Sequence, residues 1–130
     1  MLVLRKETDL AVQLLKRLAK SPGKYLSLQD FAEETGISFL FLQKIARKLR
    51  LGKLIASAHG MKGGYRLAVP VNKINLKKIM DAMDDHCQLT PCAGTDKRCE
   101  NNNKYCITVA MTKLNKELND VLAKVSLQKM

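Results

Sequence analysis

The sequence predicts a mainly α fold with a small β-hairpin, and three observations carry that expectation. Leucine and isoleucine recur at three- and four-residue spacing through most of the 130 residues, which is the period of one face of a helix. Aromatic residues make up 5% and Trp is absent, so the core must be mainly aliphatic. A single pair of short strand-like stretches, LIASAH and YRLAV, flanks the turn GMKGG and reads as a hairpin. The length allows one domain with a real core and is too short for two of ordinary size.

The first helix is expected from about Lys6 to Lys20, where Leu10, Leu14, Leu15 and Leu18 share a face with Ala11 and Ser21-Pro22-Gly23 stops the run. Ser27 is placed to cap a second helix, LQDFAEET, with Leu28, Phe31 and Ala32 on one face and Gly36 at its end. Ser38 opens a third, FLFLQKIARKLRL, with Leu42, Ile45, Ala46 and Leu49 inward and Gln43, Lys44, Arg47 and Lys48 outward, and Gly52 closes it. Two short helices joined by a Gly-containing turn form a helix-turn-helix, and the hairpin that follows directly makes it winged. After Pro70, INLKKIMDAMDD reads as a fourth helix capped by Asn75, with Leu76, Ile79, Met80 and Met83 inward. The apolar pattern then lapses and resumes at about Lys104 in a long helix striped with Leu114, Leu118, Val121, Leu122 and Val125.

Such a helix must bury its stripe, against its twofold mate or back on its own domain. A homodimer is the favoured expectation, because a helix-turn-helix protein commonly reads two half-sites. The organisation expected is 1–84 as winged helix-turn-helix domain, 85–106 as cysteine-rich loop, and 104–130 as dimerisation helix and tail.

Charge gives the first indication of function. The formal net charge is +11, and the excess is local: Lys44, Arg47, Lys48, Arg50, Lys53, Lys62 and Arg66 occur between positions 44 and 66 without one acid. The bland reading is a solvated basic face. Double-stranded DNA is the better one, since the run covers the third helix and the hairpin, the two elements that approach a duplex in this arrangement. Ser38, Leu40 and Gln43 are the candidates for base contact, Lys44, Arg47 and Lys48 for phosphate, and His59, Lys62 and Arg66 for the wing. Enzymatic function is disfavoured: there are only two histidines, no pairing of one with an acid for catalysis, and no phosphate-cradling Gly loop. No stretch is apolar enough to span a membrane and the N-terminus is not a signal peptide, so a cytoplasmic protein without membrane partners is expected.

All four cysteines fall in HCQLTPCAGTDKRCENNNKYC, spaced Cys87-x4-Cys92-x6-Cys99-x6-Cys106. In a cytoplasmic protein such thiols point to metal or redox chemistry before disulfides. The spacing lacks the short paired knuckles of zinc sites. Iron-sulfur clusters take thiolates from spread positions, and Pro91, Gly94 and Asn101-Asn102-Asn103 let the backbone wrap one. A thiol switch, a zinc site and unligated thiols stay open on chemistry alone.

The stretches TDLAVQLLKRLA, GISFLFLQKIARKLR, GMKGGYRLA and INLKKIMDAMD, the cysteine loop and the terminal helix together resemble the IscR-type and NsrR-type winged-helix repressors, bacterial regulators of iron-sulfur supply, iron or nitric oxide responses. The resemblance covers essentially the whole chain. It implies a homodimer crossed through the terminal helices, with a cluster held by Cys92, Cys99 and Cys106, although both intervals are one residue longer than the family pattern. The histidine that serves IscR-type members as fourth ligand is replaced by Val109, which cannot coordinate. Asp9 falls where NsrR-type members use an aspartate from the partner subunit, and it is favoured over the alternative Cys87. An acid in the first turn of a helix also has an ordinary role in offsetting the dipole. His86 is a further conceivable ligand, more simply solvated.

The resemblance implies a DNA-binding transcription repressor controlled by an iron-sulfur cluster, two-iron rather than four-iron, that regulates cluster biogenesis and receives its cluster from donor proteins. Two other classes are weighed against it. A cluster-free winged-helix repressor would respond to cysteine thiol oxidation or a partner enzyme. An electron-transfer or cluster-carrier protein would need neither the basic run nor the winged domain.

Overall fold

The computed structural model describes residues 3–90 and 107–130. In chain order the elements are α1 (Lys6–Ala19), α2 (Leu28–Thr35), α3 (Phe39–Leu51), β1 (Ile55–Ala58), β2 (Gly64–Leu67), α4 (Leu76–Ala82) and α5 (Thr108–Lys124), with single 3-10 turns at Val71–Lys73 and Leu127–Lys129. No helix among the described residues is long and apolar enough to cross a membrane.

Helix α1 runs through the middle of the core. Leu10, Ala11, Leu14, Leu15 and Leu18 are buried as their spacing requires, and the helix packs against α3, β2, α4 and the 3-10 turn at Leu127. Glu7 and Asp9 in its first turn, and Lys16 and Arg17 in its last, complement the helix dipole. Helix α2 starts where the Ser27 hydroxyl accepts the Gln29 N–H at 3.2 Å, and it stops at Gly36, whose φ of 71° suits a residue without Cβ. Ser38 precedes α3 but makes no side-chain cap hydrogen bond. Leu42, Ile45, Ala46 and Leu49 of α3 face the core.

The two strands pair antiparallel from Ile55 opposite Leu67 to Ala58 opposite Gly64. Leu26, between α1 and α2, exchanges both backbone hydrogen bonds with Tyr65, at 2.8 and 2.9 Å, and so ties the hairpin to the helix-turn-helix. The Asn75 side chain accepts the Lys78 N–H at 2.9 Å to cap α4. Helix α4 ends at Ala82, short of the expected Asp84-Asp85, because Asp84 turns left-handed with a φ of 54° and lets the Asp85 N–H reach the Met80 carbonyl at 2.8 Å. This is a Schellman-type stop with aspartate in place of the usual glycine.

The stripe on α5 divides its loyalty. The helix docks on α4, and the chain beyond it returns to the winged unit, where the Leu76 N–H bonds the Val125 carbonyl at 2.8 Å and the Leu127 N–H bonds the Ile74 carbonyl at 2.9 Å. Leu127 is 3% exposed in the same core as Leu14 and Ile79. Towards the other end Val109 is 83% exposed, and Leu114 and Val121 are also open to solvent. The expected start of this helix at Lys104 lies outside the described residues.

Among the described residues the Thr8 side chain is polar and fully buried, and its hydroxyl donates to the Asp85 carboxylate at 2.6 Å. Thr8→Val keeps the shape and removes the donor, and is expected to cost about 1 to 3 kcal/mol in urea unfolding, whereas Thr8→Ser retains most of the hydrogen-bond contribution.

Candidate nucleic-acid interface and the base of the cysteine loop

Burial of Leu42, Ile45, Ala46 and Leu49 fixes the rotation of α3 and leaves Ser38, Leu40, Gln43, Lys44 and Arg47 exposed, with Lys48 half-buried. Leu40 is 76% exposed at the start of the helix. In the wing His59, Lys62 and Arg66 are exposed, with Met61 bare at the tip. Arg66 does not extend freely: its guanidinium stacks over Tyr25 at 5.3 Å from the ring centre. The nine sequence-predicted positions therefore lie on the outward side of α3 and on the hairpin that follows it.

The basic run, free of acids along the chain, is not free of them in space. Glu7 of α1 accepts from Lys44 at 2.9 Å on one carboxylate oxygen and from Lys48 at 3.3 Å on the other. Its hydrogen bond with Lys44 holds the Glu7 carboxyl below the usual carboxylate range against partial desolvation, with Lys48 adding to the effect. Among the described residues Arg47 has no such ion pair. Sequence reading missed Glu7 because it precedes its partners by 37 and 41 residues, and no local spacing rule reaches that far.

The entrance to the cysteine loop is clamped at three points. Asp85 accepts from Thr8, takes the Arg5 backbone N–H at 3.1 Å and pairs with the Arg5 guanidinium at 3.5 Å. The Asn119 amide donates to the Cys87 carbonyl at 3.4 Å, and the Asn115 side chain accepts the Leu89 N–H at 3.3 Å. Cys87 and Leu89 are thus held beside α5.

Cys92, Cys99 and Cys106 lie outside the described residues. Among the described residues no three His, Cys, Asp or Glu side chains come together as a metal site. The two candidates for a fourth ligand differ sharply. Cys87 is 5% exposed and borders a cavity of about 450 Å3 also lined by Leu4, Leu76, Met80 and Leu122, so its thiol is enclosed within its own protomer. Asp9 is exposed and uses one carboxylate oxygen to accept from Gln13 at 3.0 Å, an arrangement that fits a donor offered outward. His86 sits beside Asp81 at 3.5 Å on the surface.

A winged helix-turn-helix whose third helix and wing carry the positive charge defines a DNA-binding transcription regulator. The chain belongs to the Rrf2 family: that family's model, described as an iron-dependent transcriptional regulator, matches residues 4–130. Proteins of this family bind DNA and typically dimerise. A Neisseria meningitidis protein provisionally named an HTH-type transcriptional regulator is 36% identical over 79% of the chain and 69% of its own length. The HTH-type transcriptional regulator IscR of Vibrio campbellii is 32% identical over 77% of the chain and 59% of its own length. The chain thus spans about three fifths of that relative. Among solved structures, CymR, the global cysteine regulator of Bacillus subtilis, superposes with a TM-score of 0.76 at 20% identity over 99% of this chain and 95% of its own. T. potens IscR gives 0.73 at 24% identity over 99% and 85%. An oxidized form of Staphylococcus aureus CymR gives 0.69 at 25% over 98% and 94%.

The wing has little room for a Cβ at its glycines Gly63 and Gly64. Gly64 has a φ of 141°, and a Cβ there would collide with the Leu26 carbonyl. Gly64→Ala is expected to loosen the hairpin and cost more than about 1 kcal/mol by thermal unfolding, with a larger loss of duplex affinity than Lys62→Ala.

Proposed function

We propose that this protein is a transcription repressor whose operator binding is controlled by an iron-sulfur cluster held by Cys92, Cys99 and Cys106 of one protomer and the partner's Asp9. The observation that carries the reading is the exposed carboxylate of Asp9, on the same turn of α1 whose Thr8 grips Asp85 at the loop entrance. The iron-dependent description of the family and the IscR relatives support it. A cluster ligated in this way supplies a group sensitive to iron supply, nitric oxide or redox state, two-iron on the family resemblance, with loading by donor proteins. Regulation of cluster biogenesis is the associated role.

The protein's own part is mechanical. Glu7, Thr8 and Asp9 are consecutive on one helical turn, so a pull on Asp9 acts on the recognition helix through Glu7 and on the loop entrance through Thr8. At the duplex, Ser38, Leu40 and Gln43 are assigned to base edges: Gln43 suits the paired donor and acceptor of adenine, and Leu40 suits a thymine methyl. Arg47, with Lys44 and Lys48, is assigned to phosphate, and His59, Lys62 and Arg66 to the wing contact.

A second reading keeps DNA binding and replaces the cluster with thiol oxidation or a partner enzyme, and the likeness to oxidized CymR supports it. Anaerobic purification with a visible spectrum and iron and sulfide counts separates the two. A brown wild type, altered in Asp9→Ala and unaltered in Cys87→Ala, is the expected outcome. A colourless wild type, still metal-free after anaerobic reconstitution, would leave the second reading. On DNA, Gln43→Ala is expected to lose about 1 to 3 kcal/mol of discrimination at one or two base pairs. Arg47→Ala is expected to weaken all sequences alike and flatten the salt dependence by about 0.9 in slope.

A further inference from the structure

We propose that Glu7 is a built-in competitor for DNA phosphate, which limits how strongly the recognition helix grips any duplex regardless of sequence. The geometry is that of a phosphate contact already made. Lys44 and Lys48 stand one helical turn apart on the same side of α3, and each meets a different oxygen of the Glu7 carboxylate, at 2.9 and 3.3 Å. A DNA phosphate likewise offers two anionic oxygens to such a pair. The lysines therefore reach DNA by exchanging one anion for another, or by sharing their donors between the two.

The exchange is accessible. The Lys44 side chain is 57% exposed and the Glu7 side chain 25%, and ion pairs of this kind contribute little in water and are screened by salt. A duplex, with its dense row of charges, can displace the carboxylate. Glu7 then remains beside the phosphates as a like charge and weakens the complex. Base contacts by Gln43 are untouched, so Glu7 lowers affinity for every sequence and leaves discrimination to the base edges. Of the basic run, Arg47, Arg50, Lys53 and Lys62 have no ion pair among the described residues. The restraint thus falls on the two lysines of α3 alone.

This inference rests on α3 being the DNA-facing helix. The test is titration of a mixed-sequence duplex over a range of potassium chloride concentrations, with full-length wild type, Glu7→Gln, the Lys44→Ala/Lys48→Ala double variant, that double variant combined with Glu7→Gln, and Arg47→Ala. Glu7→Gln is expected to bind several-fold tighter at low salt. Its plot of log Kobs against log salt should steepen by about 0.9, one increment for the single acidic charge removed from beside the phosphates. The gain should vanish when both lysines are absent. Unchanged or weaker binding by Glu7→Gln overturns the proposal. A gain that persists without the lysines also overturns it, because Glu7 would then act through the general field. If Arg47→Ala binds as well as wild type, the assignment of α3 to DNA falls and takes the Glu7 proposal with it. If Arg47→Ala weakens binding and Glu7→Gln gains nothing, only the Glu7 proposal falls.

Discussion

The aliphatic seating of α1 is the constraint on which the other features depend. Ala11, Leu14 and Leu15 are fully buried between the helix-turn-helix on one side and α4 with the returning tail on the other. With that face locked, the helix cannot rotate about its axis. Successive residues are about 100° apart around a helix, so the three residues of its first turn are sent to three surroundings. Glu7 goes to the lysines of α3, Thr8 to the buried Asp85, and Asp9 to solvent. Core packing thereby decides which carboxylate pairs with the lysines of α3 and which is offered outward.

The second consequence of that seating is polar. A carboxylate buried as deeply as Asp85 costs several kcal/mol unless its oxygens are satisfied, and the chain satisfies them with the Thr8 hydroxyl of α1 and with the N–H and guanidinium of Arg5, the residue just before that helix. The entrance of the cysteine loop is therefore fixed to the same helix that supports α3. Asn115 and Asn119, one turn apart on α5, hold the following residues through their backbone. The residues that follow α4 at the loop entrance are thus held from both α1 and α5.

The periodic features were legible in the sequence. The buried faces of α1, α3 and α4, the Ser27 and Asn75 caps, the Gly36 stop and the hairpin all follow from local rules, because each depends on neighbours within a few residues. What escaped was non-local. Glu7 meets Lys44 and Lys48 only because two core helices cross, and Leu127 enters the core only because the tail doubles back to Ile74. The early end of α4 was missed for another reason: aspartate tolerates the left-handed conformation at Asp84, and Asp85 is drawn towards Thr8. Among the proposed site residues, exposure on α3 and the wing could be read from periodicity. The burial of the Cys87 thiol could not, since its surroundings are brought together from the segment before α1, from α4 and from α5.

The central claim is that α3 and the wing, held by α1, form the DNA-facing surface of this regulator. Backbone amide chemical-shift mapping of the chain on addition of a mixed-sequence duplex tests it most directly. The account requires shifts concentrated at Ser38 to Lys48 and His59 to Arg66, with α2 and the exposed side of α5 little changed. Shifts centred on α5 or α4, with α3 and the hairpin tip unperturbed, would contradict it.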